Sequence, residues 1–291
     1  MKKILSFLCV LALIFCLHGC KNQTEQGKIV ATTKPVYDFT KILCADTDII
    51  VELLITENVS CLHDYTLQVY QMRSIESAET VIISGAGLED FLHDVLEHTT
   101  YIIDASEGID LHCSEHAHSQ DDSHHHESDP HIWLSIPNAR QMASNIHKNL
   151  CTQYPESKDT FDRNLEKLNE QFQQLQDYGE MQLTQLSCRN LITFHDGFSY
   201  FAEDWDLHIL HSVEEESGSE ASAAELKELI QLVQQHDLPA VFTEENGSTS
   251  AAQIVSTETG IQIFVLNMAM SHKDYFTSMR QNIDAVKEAL E

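Results

Sequence analysis

The chain has 291 residues, enough for two modest α/β domains rather than one small core. It carries 17 Lys+Arg against 46 Asp+Glu, a formal net charge of −29. A surface this acidic repels nucleic acid and anionic lipid, which excludes both as partners, and it draws cations.

Lys2 and Lys3, followed by the apolar residues 4–17, form an export signal too short to span a bilayer comfortably. Leu17-His18-Gly19-Cys20 resembles a bacterial lipobox, whose cysteine takes lipid and becomes the mature N-terminus. Since His18 is unusual there, ordinary signal cleavage nearby is the alternative. Either route places the mature chain outside the cytoplasm, and the first anchors it to the bacterial membrane through Cys20. Residues 21–28 are polar, without an apolar period, and read as a tether. Once Cys9, Cys16 and Cys20 are set aside, Cys44, Cys61, Cys113, Cys151 and Cys188 remain. An odd number cannot all pair within one molecule. Export permits disulfides, and pairing of Cys44 with Cys61 or of Cys151 with Cys188 stays open.

From residue 29 the chain alternates β-rich runs with helical stretches. Strands are predicted over 29–33, 48–55, 80–84 and 101–104, with helices over 36–43, 67–77 and 88–98 between them. This alternation points to a parallel sheet with helices on its faces. Residues 112–129 are polar, acidic and His-rich with neither period, and form a long loop. Ser135 and Pro137 start a helix that reaches about Cys151. Beyond Pro155, the residues Phe161, Leu165, Leu168, Phe172 and Leu175 mark one apolar face of a long helix. Continued to about Leu186, it would extend ~40 Å, and its repeat is too short to favour a coiled-coil dimer. Strands over 190–194, 207–213, 240–243 and 261–266 follow, with helices over 198–203, 221–235, 248–257 and 274–290. The expected organisation is two similar α/β lobes, 29–154 and 189–291, joined by a linking helix over 155–188.

In parallel α/β sheets, ligands bind beyond the carboxyl ends of the strands. His63 follows the second predicted strand, His131 closes the long loop after the fourth, and His195 directly follows the fifth. Each alone reads as structural. Together, two from the first lobe and one from the second, they read as a zinc ligand set. Protons compete for imidazole nitrogen, so the affinity of such a site falls in acid. His112, His116, His118, His124, His125 and His126, interleaved with Asp121, Asp122 and Glu127, form either a weak collector of several ions or a solvated, dispensable insertion.

Several motifs carry a family resemblance: His63-Asp64-Tyr65, Asp129-Pro130-His131-Ile132-Trp133-Leu134 and Phe194-His195-Asp196-Gly197-Phe198. Val241-Phe242-Thr243-Glu244 and Thr259-Gly260 also fit. Together they resemble the zinc-type solute-binding lipoproteins of bacterial metal ABC importers, the ZnuA/TroA type, over nearly the whole mature chain. The resemblance implies two four-stranded parallel lobes joined by one long backbone helix, with a metal held in the inter-lobe cleft by His63, His131 and His195. It also implies a permease and an ATPase as partners and a monomeric, lipid-anchored chain. Manganese-type relatives usually carry a carboxylate where this chain has His195, so a third nitrogen favours zinc as the transported ion. A His-rich loop is common in the zinc members.

The chain departs from the pattern in three places. Asn267 stands where an aspartate is frequent, leaving the fourth metal position open among Asn267, water, Glu244 and Glu245. Cys61-Leu62 and Thr66-Leu67 replace the more usual Asp-Pro and Glu-Pro on either side of His63. The alternatives are a manganese or iron member of the same family and, from a different class, a zinc hydrolase whose metal-bound water attacks substrate. No HExxH helix, GxSxG elbow or Gly-rich phosphate loop supports an enzyme. A third class, surface adhesion, finds no repeat or stalk in the sequence.

Overall fold

A computed structural model describes residues 27–57, 62, 65–97, 99, 101–112, 128–213 and 221–291. All eight expected strands form. The first sheet holds β1 (Lys28–Ala31), β2 (Ile50–Leu53), β3 (Thr80–Ile83) and β4 (Ile102–Asp104), in the order β2-β1-β3-β4. The second holds β5 (Asn190–Thr193), β6 (His208–Ser212), β7 (Ala240–Glu244) and β8 (Gln262–Leu266), in the equivalent order β6-β5-β7-β8. Every pairing is parallel. Continuous apolar runs such as Ile29-Val30-Ala31 are fully buried, as strands covered on both faces must be. In each sheet the strand order reverses beside the first strand, which opens a crevice at the carboxyl ends.

The helices are α1 (Lys34–Leu43), α2 (Val69–Glu76), α3 (His93–Leu96), α4 (Ile136–Gln153), α5 (Lys158–Leu183), α6 (Ser199–Asp204), α7 (Ala223–Gln235), α8 (Ser250–Thr259) and α9 (Tyr275–Leu290). One expectation needs correction. The helix predicted over 88–98 is a single 3-10 turn, Asp90–Leu92, followed by the one turn of α3. Gly85, Ala86 and Gly87 all take positive φ, and the chain bends so that Glu89 turns inward. Its carboxylate accepts from Thr32 Oγ1 (2.6 Å), Ser84 N–H (2.7 Å) and Gly85 N–H (3.0 Å).

Burial lifts the Glu89 carboxyl from 4.5 to about 7, against the pull of those three hydrogen bonds. Between these values the folded chain keeps a proton that the unfolded chain releases. The Glu89 contribution to stability is therefore fully present below the unfolded value and is lost as pH rises to about 7. Glu89→Gln is expected to remove this dependence, worth roughly 3 kcal/mol at one pH unit per ~1.4 kcal/mol. Urea unfolding across that pH range checks it; a wild-type slope retained in the variant would show that Glu89 is not the source.

The 26 residues of α5 span about 39 Å at ~1.5 Å per residue. Its predicted stripe faces inward: Phe161, Leu168, Phe172 and Leu175 are buried and Leu165 is half-buried. The helix packs on α1 and α4 of the first lobe and on α9 of the second. Asn164 Nδ2 donates to the carbonyls of Leu43 (3.0 Å) and Ala45 (2.8 Å), satisfying the end of α1. Farther along, a β-carbon on Gly179 would lie 2.2 Å from Trp205 Cη2. Gly179→Ala should therefore cost about 1–3 kcal/mol through overpacking, read as a lower Tm. A Tm equal to wild type would mean that the indole yields freely.

One hydrophobic core runs through both lobes from Ile29 to Leu290, and a smaller one lies around Ile192, Leu229 and Val241. Polar bonds also cross between the lobes. Trp133 Nε1 donates to the Met268 carbonyl (2.8 Å), and Tyr275 Oη donates to the Trp133 carbonyl (2.8 Å). Asp204, at the end of α6, accepts from Ile136 N–H (2.7 Å) and Ser135 Oγ (3.0 Å), capping α4 from the opposite lobe. A shared core and these buried ties favour modest rearrangement over wide hinge opening. Cys44, Cys151 and Cys188 are free thiols, so Cys151 and Cys188 are not joined; Cys20, Cys61 and Cys113 lie outside the described residues. Among the described residues, no helix is long and apolar enough to cross a membrane.

Candidate metal centre

After β4 the chain reaches His112, whose carbonyl accepts from Asp129 N–H at 3.0 Å. That bond closes the base of the long loop. His131 then precedes a 3-10 turn, Ile132–Leu134, whose three side chains are buried, so its backbone is fixed by packing. His131 is itself only 3% exposed. Its Nδ1 lies 2.8 Å from Asp129 Oδ1, which also accepts from His131 N–H (2.9 Å). Two residues of α6 grip Asp129 from the second lobe: Ser199 Oγ donates to Oδ2 (2.5 Å) and Tyr200 Oη donates to the carbonyl (2.9 Å). Burial pushes the Asp129 carboxyl upward, yet the His131 ring and the Ser199 hydroxyl together hold it below the usual range. Asp129 is thus an anion aimed at one nitrogen of His131, which fixes the ring and its tautomer.

His195 stands two residues beyond β5. Phe194 N–H donates to the Phe242 carbonyl (2.8 Å), which prolongs the strand alignment to the edge of the site. His195 Nδ1 lies 3.6 Å from Oε2 of Glu244, the buried last residue of β7. The His131 and His195 rings have centroids 5.3 Å apart and planes at 81°. Two imidazoles sharing one tetrahedral zinc at ~2.0–2.1 Å bonds have centroids about 5 Å apart, so this spacing suits a common ion. Gly197 makes the approach possible: a β-carbon there would lie 2.8 Å from Met268 Cε, 2.9 Å from His195 Cδ2 and 3.0 Å from His131 Nδ1.

His131 and His195 are therefore brought together from different lobes, as expected. His63 lies outside the described residues, but its flanks are anchored. Leu62 is buried in the core and accepts from Tyr65 N–H (3.0 Å), and Tyr65 Oη donates to Glu57 (2.8 Å). His116, His118, His124, His125 and His126 also lie outside the described residues. His112 docks behind Asp129: it stacks on Tyr200 with centroids 4.0 Å apart, its Nδ1 lies 3.1 Å from Ser199 Oγ, and its Nε2 meets Glu203 at 2.8 Å.

Asn267 is occupied with its own loop. Its Oδ1 accepts from Ala269 N–H (2.6 Å), while Nδ2 donates to Ser271 Oγ (3.2 Å) and to Glu245. Glu245 also pairs with Lys273 at 2.9 Å. No local pattern in the sequence assigns a role to Asp129, Gly197, Ser199 or Tyr200. A carboxylate two residues before a ligand-type histidine was the one available signal.

Residues 29–289 match the family described as "Zinc-uptake complex component A periplasmic", ZnuA. The chain is 31% identical over 309 aligned residues to a protein named zinc-binding lipoprotein AdcA from Streptococcus pneumoniae (strain ATCC BAA-255 / R6), covering 99% of this chain and 61% of that relative. It thus spans about three-fifths of the length of that relative. A crystal structure of ZnuA superposes with a TM-score of 0.81 at 26% identity, covering 92% of this chain and all of the other. A Zn(II)-bound crystal structure of AdcA from Streptococcus pneumoniae gives a TM-score of 0.77 at 30% identity, over 91% of this chain and 58% of that one. With the family pattern matched across both lobes and the linking helix, the chain belongs to the ZnuA family.

Proposed function

We propose that this chain captures zinc outside the cytoplasm with His63, His131 and His195 and delivers it to the permease of an ABC importer powered by an ATPase. The observation that carries this reading is the juxtaposition of His131 and His195, 5.3 Å apart and each with Nδ1 turned towards a buried carboxylate. The hydrogen bond between Nδ1 and Asp129 leaves Nε2 as the metal-binding atom of His131. Glu244 then acts behind His195, Glu245 and Asn267 serve the loop after β8, and water takes the fourth position. Nitrogen-rich ligation favours zinc over manganese. Zinc is cargo, and the chain works as a binding protein, lipid-anchored through Cys20. The relatives named for zinc, and the Zn(II)-bound structure among them, support this reading.

Titration of the chelated protein with zinc and manganese tests it. The expected result is one tightly held zinc per chain that excess manganese does not displace. Equal competition by manganese would overturn the choice of metal, and zinc-dependent turnover of ester or peptide substrates would overturn the non-enzymatic reading. Deleting residues 113–126, which spares His112 and its bond to Asp129, should preserve the tight ion and remove weakly bound ones. Unchanged total stoichiometry would sink the collector role of the loop.

A further inference from the structure

A second group of metal-ligand side chains lies far from the cleft, on the packed pair α4 and α5. His147 and Cys151 are four residues apart and so share one face of α4. Asp162, in the second turn of α5, faces them across the helix pair. His147 Nε2 is 2.8 Å from Asp162 Oδ1 and 3.4 Å from Cys151 Sγ, and one ligand atom from each of the three residues lies within 4.8 Å of the others. His147 stands about 16 Å along α4 from Ile136, at ~1.5 Å per residue, so the group is separate from the inter-lobe site.

We infer that His147, Cys151 and Asp162 form a second binding site for a divalent ion of zinc type, closed by water as the fourth ligand. The geometry is close to what coordination requires. Zinc bonds of about 2.3 Å to sulfur and ~2.0–2.2 Å to nitrogen and oxygen separate tetrahedral N and S ligands by about 3.6 Å, and N and O ligands by about 3.4 Å. The nitrogen–sulfur pair is already at that spacing, and the nitrogen–oxygen pair must open by roughly half an ångström. Asp162 is on a half-exposed surface, and its Oδ2 is held by Lys158 Nζ (2.5 Å), which leaves Oδ1 for the ion. Imidazole, thiolate and carboxylate together suit zinc better than calcium or magnesium, which select oxygen ligands. On binding, the sulfur–hydrogen bond breaks, the sulfur lone pair goes to the ion, and the proton leaves to solvent.

The thiol provides a site-specific readout. Full-length protein, reduced and chelated, is alkylated with iodoacetamide with and without added zinc chloride, and modification of Cys151 is followed by peptide mass spectrometry. Zinc should slow alkylation of Cys151 by at least about tenfold, since a coordinated thiolate is no longer a free nucleophile. Protection should disappear in His147→Ala and weaken in Asp162→Asn, and it should persist in the His131→Ala/His195→Ala double variant, so this site and the cleft fail independently. Cobalt(II), added in place of zinc, should give a sulfur-to-metal charge-transfer band that Cys151→Ser abolishes. Unprotected Cys151 in wild type, or protection unchanged in His147→Ala, would overturn the site. Loss of protection in the cleft double variant, with its fold retained by circular dichroism, would overturn it equally.

Discussion

Alanine in place of His131 or His195 is expected to weaken zinc binding by more than about a hundredfold, because removing a group that merely orients a metal ligand already costs ~10–100-fold. The two substitutions should differ in what they do to the metal-free protein. His131 is packed against Trp133, and its Nδ1 is hydrogen-bonded to the buried Asp129. His131→Ala therefore leaves a buried carboxylate short of a partner, at about 1–3 kcal/mol. His195 is more accessible, with 16% of its side chain exposed, so His195→Ala should cost less stability for a similar loss of zinc. Ligand stabilisation separates the effects. A wild-type protein at a thousandfold excess of zinc over Kd gains about 4 kcal/mol, and a hundredfold weaker variant at the same zinc loses about 2.7 kcal/mol of that gain. Zinc-dependent Tm, measured against the chelated form of each variant, gives both numbers. Zinc affinity within tenfold of wild type in both variants would move the binding site out of the cleft.

The juxtaposition of His131 and His195 is legible because it depends on strand ends. Short runs such as Ile29-Val30-Ala31 and Leu191-Ile192-Thr193 mark buried parallel strands, and the polar residues just beyond them fall on the binding edge. The α5 stripe was equally plain, since period and length agree. What stayed hidden depends on distant partners. Leu88, Leu92, Val95 and Leu96 imitate a helical face, and nothing local reveals that Glu89 bonds to Thr32, 57 residues earlier. The hold on Asp129 comes from Ser199, 70 residues on, in the other lobe. Asn267 resembled a candidate ligand until the backbone of Ala269 proved to occupy its oxygen. Nothing local joins His147 and Cys151 to Asp162, which belongs to the next helix.

Gly197→Ala should lower zinc affinity by roughly 10–100-fold without touching a ligand, the range found when support around a metal site is removed. The added carbon meets three atoms at once: Met268 Cε at 2.8 Å, His195 Cδ2 at 2.9 Å and His131 Nδ1 at 3.0 Å. Such contacts are too close to persist. The Met268 methyl can swing aside, but the His131 ring is pinned by Asp129 and the buried turn behind it, so the His195 ring must absorb most of the displacement. That moves one nitrogen away from the ion while the other stays. Met268→Ala combined with Gly197→Ala discriminates between the two routes of relief. If the imidazoles carry the strain, removing the methyl leaves zinc affinity low, and only the overpacking cost of about 1–3 kcal/mol is partly recovered in Tm. Full recovery of affinity in the double variant would show that Met268 alone was displaced. The close approach of the two rings would then not depend on the missing β-carbon at position 197.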